Sequence, residues 1–323
     1  MDSGNQSVVY SEDGKTLLLV KDRHALRFDI PQGVETIGSN AFVYCKEIVG
    51  VSIPDSVKEI GDHAFSGCRS LESVSIPVSV ICIGVDCFKD CDRLKAVHVD
   101  AENQVYASFD GVLFDKDFTM LLRYPAGKSD THYDVPEGIV QVGWGAFCGN
   151  RALEAVHIPS SVLLITDEAF CGCKSLERVG FEDGLVTIAD FAFMDCGSLR
   201  DLEFPSTLRT IGACAFSGCK RLKSVELPQG LVNLLSYSFC RCERLREVRI
   251  PATARKIEDS IFDGCIWLLN IYCEVAAPDD MKVGSFFSDE EDMAGRTLHV
   301  PARSVVLYRT HPLFGRFSKI EPI

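Results

Sequence analysis

The sequence predicts an α/β solenoid, in which short coils of chain stack on one another and share a single core. A phenylalanine recurs every 23 residues, except for one interval of 59, which is 23 plus 36. Apolar residues keep fixed offsets from that phenylalanine, and alternating apolar positions followed by proline mark one short strand per coil. The repeating phenylalanines are Phe42, Phe65, Phe88, Phe147, Phe170, Phe193, Phe216, Phe239 and Phe262.

Each coil is predicted element by element from the residues around its phenylalanine. A segment of the form LxxVxI alternates apolar residues with a period of two, which is typical of a strand. The proline after it ends the strand because it cannot donate a hydrogen bond. An Ile-Gly step, as at Ile37-Gly38, then predicts a turn. The Ala-Phe-x-x-Cys stretch is expected to cross back as a 3₁₀ or helical turn, with its buried phenylalanine forming a spine.

Composition excludes several classes of protein. The chain has 323 residues, 46% of them hydrophobic, so it can bury a large core and is not intrinsically disordered. It carries 33 Lys and Arg against 46 Asp and Glu, a net charge of −13. That balance disfavours nucleic acid and anionic membranes as partners. No apolar run reaches the roughly 18 residues of a membrane span, and the first ten residues lack a secretion signal.

The frame IPxxVxxIGxxAFxxCxxLxxVxIP resembles the BspA-like (Treponema pallidum-type) leucine-rich repeat. The resemblance implies a right-handed, curved leucine-rich repeat of about twelve coils, with a parallel β-sheet on its concave face. The 36-residue unit, with alternating runs on either side of Asp115 to Thr119, is similar to the hairpin-bearing units of this family. The family also implies a bacterial protein that is secreted or lies at the cell surface and adheres to host matrix or to other cells.

We therefore expect one leucine-rich repeat solenoid over residues 1–323. Its segments are a hairpin-like N-terminal cap at 1–30, repeats at 31–99, the long hairpin-bearing repeat at 100–136, repeats at 137–274, and a degenerate repeat with a C-terminal cap at 275–323. A capping helix is expected after Ser304, whose side chain suits an N-cap. The acidic run Asp289 to Asp292 is expected to be a solvated loop.

Most of the fifteen cysteines follow the repeat. Eight lie three residues after the phenylalanine, where the ninth copy has Asn150. Leucine-rich repeats use Asn or Cys there to donate to backbone carbonyls, so we expect a structural thiol ladder. No C-x-x-C is present, so zinc ribbons and redox pairs are not predicted. Three more, Cys148, Cys171 and Cys240, directly follow the phenylalanine and are also in phase. The remaining four are off-phase and unassigned: Cys82, Cys87, Cys214 and Cys273.

Candidate contact residues lie at the outward positions of the strands. Small side chains occupy these positions in the early coils, and a mixed charged strip follows in the later ones. The expected partner-binding residues are His98, Asp134, His157, Arg178, Asp201, Glu203, Glu226, Glu247, Arg249 and Tyr272. Tyr272 is the expected aromatic anchor.

Three kinds of function remain open at this point, of which the third is a purely structural array or a passive repeat segment of a larger surface protein. The first is a non-enzymatic recognition or adhesion module whose concave sheet meets a protein or glycan, with host extracellular matrix the partner that the resemblance implies. No catalytic motif is present and no cofactor is predicted. The alternative is a metal-binding module or metal-dependent enzyme at a cluster of His98, Asp134 and His157, near His132. These same residues also fit solvated positions on an open sheet.

Overall fold

The computed structural model describes residues 7–288, 293 and 295–323, so the acidic run at 289–292 lies outside the described residues. The chain is a parallel β-solenoid with thirteen long strands, one per turn, in the part described. It divides into two compact units. The first runs to Asp130 and includes Gly143–Ala152, and the second comprises Thr131–Val142 and Leu153–Ile323.

The first unit contains twelve strands. They are β1 (Val8–Tyr10), β2 (Thr16–Val20), β3 (Arg27–Asp29), β4 (Thr36–Ile37), β5 (Gly50–Ser52), β6 (Glu59–Ile60), β7 (Ser73–Ile76), β8 (Cys82–Ile83), β9 (Ala96–Val99), β10 (Tyr106–Phe109), β11 (Val112–Asp115) and β12 (Met120–Arg123). Strands β1 and β2 form an antiparallel hairpin at the N-terminal end, as the sequence predicts.

The second unit contains sixteen strands and one α-helix among its described residues. They are β13 (His132–Asp134), β14 (Gln141–Val142), β15 (Ala155–Ile158), β16 (Leu164–Ile165), β17 (Arg178–Phe181), β18 (Thr187–Ile188), β19 (Asp201–Leu202), β20 (Thr210–Ile211), β21 (Ser224–Glu226), β22 (Asn233–Leu234), β23 (Glu247–Ile250), β24 (Lys256–Ile257), β25 (Asn270–Cys273), β26 (Lys282–Val283), β27 (Thr297–Val300), α1 (Val305–Thr310) and β28 (Lys319–Pro322). Short 3₁₀ turns lie at Pro278–Asp280, Ala302–Ser304 and Phe314–Arg316.

Each regular coil contributes two strands, and the sequence predicts only one of them. The long strand is the predicted LxxVxI segment, paired in parallel with the same segment of the next coil. The second strand has two residues and lies at the Ile-Gly step, where a turn alone was expected. Its isoleucine faces the core while its backbone bonds to neighbouring coils, as Gly212 N–H does to Ile188 O at 2.8 Å. Gly212 is needed here because a Cβ would lie 2.4 Å from the Ala189 carbonyl carbon.

The segment around each repeating phenylalanine is a ladder of turns, so the expected 3₁₀ or helical turn is wrong in detail. Residues two before and two after the phenylalanine have positive φ, as at Phe191 (57°) and Asp195 (58°) around Phe193. Because φ changes sign along this segment, the segment cannot form a helix. The change of sign also turns alternate N–H groups towards the next coil, where Phe193 N–H donates to Ala215 O at 2.7 Å.

The phenylalanines form the predicted spine in each unit. Within the second unit, Phe170 and Phe193 stack at 4.8 Å between ring centroids, and Phe193 and Phe216 at 5.2 Å. Within the first, Phe42 and Phe65 stack at 5.0 Å. These side chains are fully buried, so they carry a large part of the hydrophobic stabilisation.

The thiol ladder is present, and it connects coils instead of closing each coil on itself. Cys68 Sγ donates to Phe42 O at 3.1 Å, and Cys219 Sγ to Phe193 O at 3.3 Å, each in the preceding coil. Asn150 takes the same role with Ala126 O, at 3.4 Å. All fifteen cysteines are free thiols.

The four cysteines left unassigned by the sequence also follow the repeat. Cys87 replaces the alanine before Phe88, and Cys214 occupies a position of positive φ. Cys82 lies exposed on β8, whereas Cys273 is buried on β25 with its sulfur 3.4 Å from Tyr308 Oη. Their positions are those of ordinary repeat residues.

The long repeat folds as an antiparallel set of β10, β11 and β12. Its turn meets the edge of β9, where Val97 N–H donates to Gly111 O at 2.9 Å. Tyr124 then takes the place of a spine phenylalanine and stacks on Phe147 at 5.0 Å. The buried Arg123 guanidinium donates to Phe88 O at 3.1 Å and to Gly145 O at 2.7 Å, which joins the coils on either side.

The C-terminal end differs from expectation in two ways. The predicted helix is present as α1, but Ser304 does not cap it; its hydroxyl donates to Ala276 O at 2.5 Å. After the helix, the chain adds β28, which pairs in parallel with β27. The last strand therefore lies beyond the helix, where no LxxVxI pattern marks it.

Candidate recognition surface

The candidate surface is the set of outward side chains on the long strands, which we call the strand face. Strand β23 shows how the sequence produces it: Val248 and Ile250 point into the core, so Glu247 and Arg249 point out. Of the ten residues that the sequence singles out, seven are exposed, and His157, Arg249 and Tyr272 are half-buried.

In the first unit, the strand face carries His98 on β9, in register with Ser75 on β7. Strands β7 and β9 form a two-stranded sheet of their own. The hairpin of the long repeat occupies the other edge of β9, where Val99 N–H donates to Ser108 Oγ at 2.9 Å. In the first unit, the neighbours of His98 on that side of β9 are therefore residues of the hairpin.

In the second unit, Asp134 and His157 are in register on β13 and β15, as predicted. His157 Nε2 lies 3.2 Å from a carboxylate oxygen of Glu182, and His132 Nδ1 lies 2.8 Å from Thr131 Oγ1. Across the described residues, no three His, Cys, Asp or Glu side chains are arranged to hold a metal ion. Nothing in this geometry favours the metal hypothesis.

The middle of the second unit presents an acidic strip: Asp201, Glu203, Glu226 and Glu247, all exposed. Glu203, the residue directly after β19, forms an isolated parallel bridge with Glu226 of β21. Glu247 of β23 is in register with Ser224 of β21. Adjacent strands are about 4.8 Å apart, so these carboxylates reinforce one another's potential. A groove beside them is lined by Phe204, Leu227 and Pro228.

Beyond the acidic strip, Arg249, Tyr272 and His299 form a stacked column across β23, β25 and β27. The Arg249 guanidinium carbon lies 4.8 Å from the Tyr272 ring centroid, and the rings of Tyr272 and His299 stack at 4.5 Å. Glu274 Oε1 fixes Arg249 Nη1 at 3.0 Å. Tyr272, the expected aromatic anchor, is therefore held between Arg249 and His299.

The strand face includes residues that the sequence analysis missed. His299 lies on β27, whose Leu298 and Val300 face the core, so counting the outward positions of this apolar alternation would have found it. Glu182 and Glu274 follow the strands as ion-pair partners of His157 and Arg249. No pattern in the sequence indicates those pairings, because the carboxylates come from the connecting turns.

Comparison with known proteins identifies the class. The family model of the BspA type leucine rich repeat region matches residues 24–110 and 140–269, in six copies. The chain belongs to this family of bacterial leucine-rich repeat proteins. No curated protein sequence matches it.

Solved structures with the same fold come from bacterial leucine-rich repeat proteins. A leucine rich cell surface protein from Faecalibacterium prausnitzii A2-165 is 29% identical, with a TM-score of 0.60; the match covers 79% of this chain and 61% of that one. A leucine-rich repeat protein from Eubacterium ventriosum is 22% identical, with a TM-score of 0.65 and coverages of 85% and 89%. The pneumococcal vaccine antigen PcpA is 22% identical, with a TM-score of 0.64 and coverages of 92% and 67%.

These relatives are repeat proteins and not enzymes, and the family is consistent with a protein-interaction module. The chain spans less than two thirds of the Faecalibacterium protein. In the described part of the chain, no helix has the length and apolar character needed to cross a bilayer.

Proposed function

We propose that this protein is a non-enzymatic recognition module that acts at the bacterial cell surface or after secretion, and that the strand face of its second unit binds a host matrix or cell-surface partner. The observation that carries the proposal is the combination of the acidic strip with the stacked column of Arg249, Tyr272 and His299. The printed description of the Faecalibacterium relative as a cell surface protein supports the location.

The physical case depends on what a repeated strand offers to a partner. Each coil places one or two side chains at a fixed pitch on a rigid backbone, so little entropy is lost when they are engaged. A half-buried tyrosine held by an arginine is the kind of residue that dominates protein interfaces. The acidic strip beside it favours a basic patch on the partner, which steers association and makes it sensitive to salt.

The experiment is a binding screen of residues 1–323 against immobilised matrix proteins and glycans at two salt concentrations. Each hit is repeated with a variant that carries Glu203→Lys and Arg249→Glu. The matched control carries Glu59→Lys and Lys282→Glu, which make the same charge changes at exposed positions on the short strands β6 and β26.

A saturable hit that the strand-face variant weakens and the control leaves unchanged supports the proposal. Loss of that hit at higher salt supports the electrostatic part of it. A panel without hits, or a hit that both variants weaken equally, contradicts the assignment of the strand face.

A further inference from the structure

A second site lies beside the strand face in the second unit, where Lys223 and Arg246 directly precede strands β21 and β23. Lys223, Arg244, Arg246 and Trp267 line an open cavity of about 350 Å³, which we call the basic cavity. Its volume is within the range of ligand pockets, roughly 300–1,000 Å³. It gathers three positive charges in a chain of net charge −13.

The repeat explains how these residues come together. Arg244 and Trp267 occupy the same position, five after the spine phenylalanine, in consecutive coils. Lys223 and Arg246 share another position, seven after it, and Arg246 N–H donates to Lys223 O at 2.9 Å. The four side chains are therefore neighbours on a rigid backbone frame.

The cations of the basic cavity are available to a ligand. Lys223, Arg244 and Arg246 are exposed, and within the described part of the chain none of them has an ion-pair partner. In contrast, the nearby Lys220 is engaged with Glu243 at 2.7 Å. Guanidinium groups bind carboxylate, sulfate and phosphate in a bidentate manner, so an anion is the expected ligand.

Trp267 indicates a second property of the ligand. Its side chain is 56% exposed, and it stacks on no other aromatic ring among the described residues. The face of an aromatic ring is negative and attracts the C–H groups of a flat ligand. A pyranose ring has such a C–H face, and in an acidic sugar it also carries the anionic groups that the three cations would bind.

We propose that the basic cavity binds an anionic sugar, a pyranose carrying sulfate or carboxylate, within a polyanionic glycan. The ring stacks on Trp267 and its anionic groups meet Lys223, Arg244 and Arg246. An acidic protein fits less well, because protein hot spots have an apolar centre and a polar rim. Here the cations line the cavity, while the exposed Ile266 and Leu269 lie outside its lining.

The chain provides its own optical reporter, since it has only two tryptophans, Trp144 and Trp267. Trp144 lies in the first unit and is 49% exposed, so Trp144→Phe leaves Trp267 as the sole indole without disturbing a core. This variant of the full chain is titrated with a heparin-derived tetrasaccharide, a hyaluronan tetrasaccharide, neutral N-acetylchitotetraose and a short oligoglutamate peptide.

Saturable change in Trp267 emission with either acidic sugar supports the proposal, and the stronger of the two names the source as sulfated or carboxylated. Arg244→Glu with Arg246→Glu should weaken that binding at least about tenfold, because each lost charge-assisted hydrogen bond is worth about that factor. Calorimetry with Trp267→Ala should show a loss that Trp267→Phe largely restores.

The matched control is Arg93→Glu with Lys95→Glu, which reverses the same two repeat positions in the coil of Phe88. It should leave sugar binding unchanged, as should Glu203→Lys with Arg249→Glu on the strand face. Equal binding of the neutral sugar, stronger binding of oligoglutamate, or no effect of the Arg244 and Arg246 changes would each overturn the proposal.

Discussion

The Sγ atom of Cys68 lies 3.1 Å from the carbonyl oxygen of Phe42 and donates a hydrogen bond to it, across one coil boundary. The same bond recurs down the stack, for example from Cys196 to Phe170 O at 3.1 Å and from Cys265 to Phe239 O at 3.1 Å. Each of these phenylalanine carbonyls also accepts a backbone N–H within its own coil, as Phe42 O does from Cys45 at 3.0 Å, so the thiol adds a second donor that comes from the neighbouring coil. We therefore assign the thiols a structural role, at the contact between coils, and not a redox role.

Replacing one thiol of the ladder should destabilise the protein measurably. Cys219→Ala removes the bond that Phe193 O accepts from the next coil and leaves a small void, while the bond from Cys196 N–H within the coil remains. The free energy of unfolding should therefore fall by about 1–2 kcal/mol. The control is Cys82→Ala at the exposed thiol of β8, which should change it by no more than about 0.5 kcal/mol. Urea unfolding followed by circular dichroism measures both, and a Cys219 effect as small as that of Cys82 would contradict the ladder.

Stability should fall in alkaline solution for the same reason. Burial raises the pKa of the Cys91 thiol to about 12 and raises the pKa of Cys68 and Cys219 as well. In the unfolded chain these thiols ionise near pH 8.5. The stabilisation is therefore fully present below about pH 8.5 and is lost as pH rises towards the folded-state pKa.

The measurement compares urea midpoints at about pH 7.5 and about pH 9.5, in the presence of a reductant. The midpoint should be lower at the higher pH, and the double variant Cys68→Ala, Cys219→Ala should show a smaller difference between the two. An unchanged midpoint, or a midpoint that rises, would show that the buried thiols do not carry this dependence.

The spine gives a third prediction. Phe170 is fully buried and stacks on Phe193, so Phe170→Ala should cost about 3–5 kcal/mol through the cavity it leaves. Glu203→Ala, at an exposed position of the strand face, should stay within about 0.5 kcal/mol. Equal, small effects of the two changes on the free energy of unfolding would be incompatible with the assigned phase of the repeat.

Arg123 should stabilise the contacts between the long repeat and the coils on either side of it. Its guanidinium is buried and holds the carbonyls of Phe88 and Gly145, and Arg123→Met removes both bonds while keeping most of the aliphatic volume. Hydrogen exchange should become faster at residues 143–152 and around Phe88. Arg93→Met, at an exposed arginine of the same unit, is the control and should leave exchange unchanged; an identical pattern for both variants would refute the bridging role.

The repeat itself could be predicted from the sequence because each buried position recurs with a fixed phase, as the column from Phe170 to Phe262 shows. The second strand ladder could not, since two residues such as Thr187–Ile188 carry too little pattern to distinguish a strand from a turn. Strand β28 could not be predicted for a different reason: it pairs with β27 after a helix, and no LxxVxI pattern marks its four residues. The sequence could predict which residues of each strand point outward. It could not predict the pairing of Arg249 with Glu274, because Glu274 lies in a connecting turn whose conformation the repeat does not determine.

The central claim is that a partner contacts the strand face at Tyr272, and photocrosslinking tests it most directly. A photoreactive phenylalanine derivative is placed at Tyr272 in one protein and at Tyr237 in another. Tyr237 is a matched control because it belongs to the same unit but lies on the turn segment two residues before Phe239. With a purified partner from the binding screen, we predict a crosslink from position 272 and none from position 237. Crosslinking from 237 alone, or from both positions equally, would contradict recognition through the strand face.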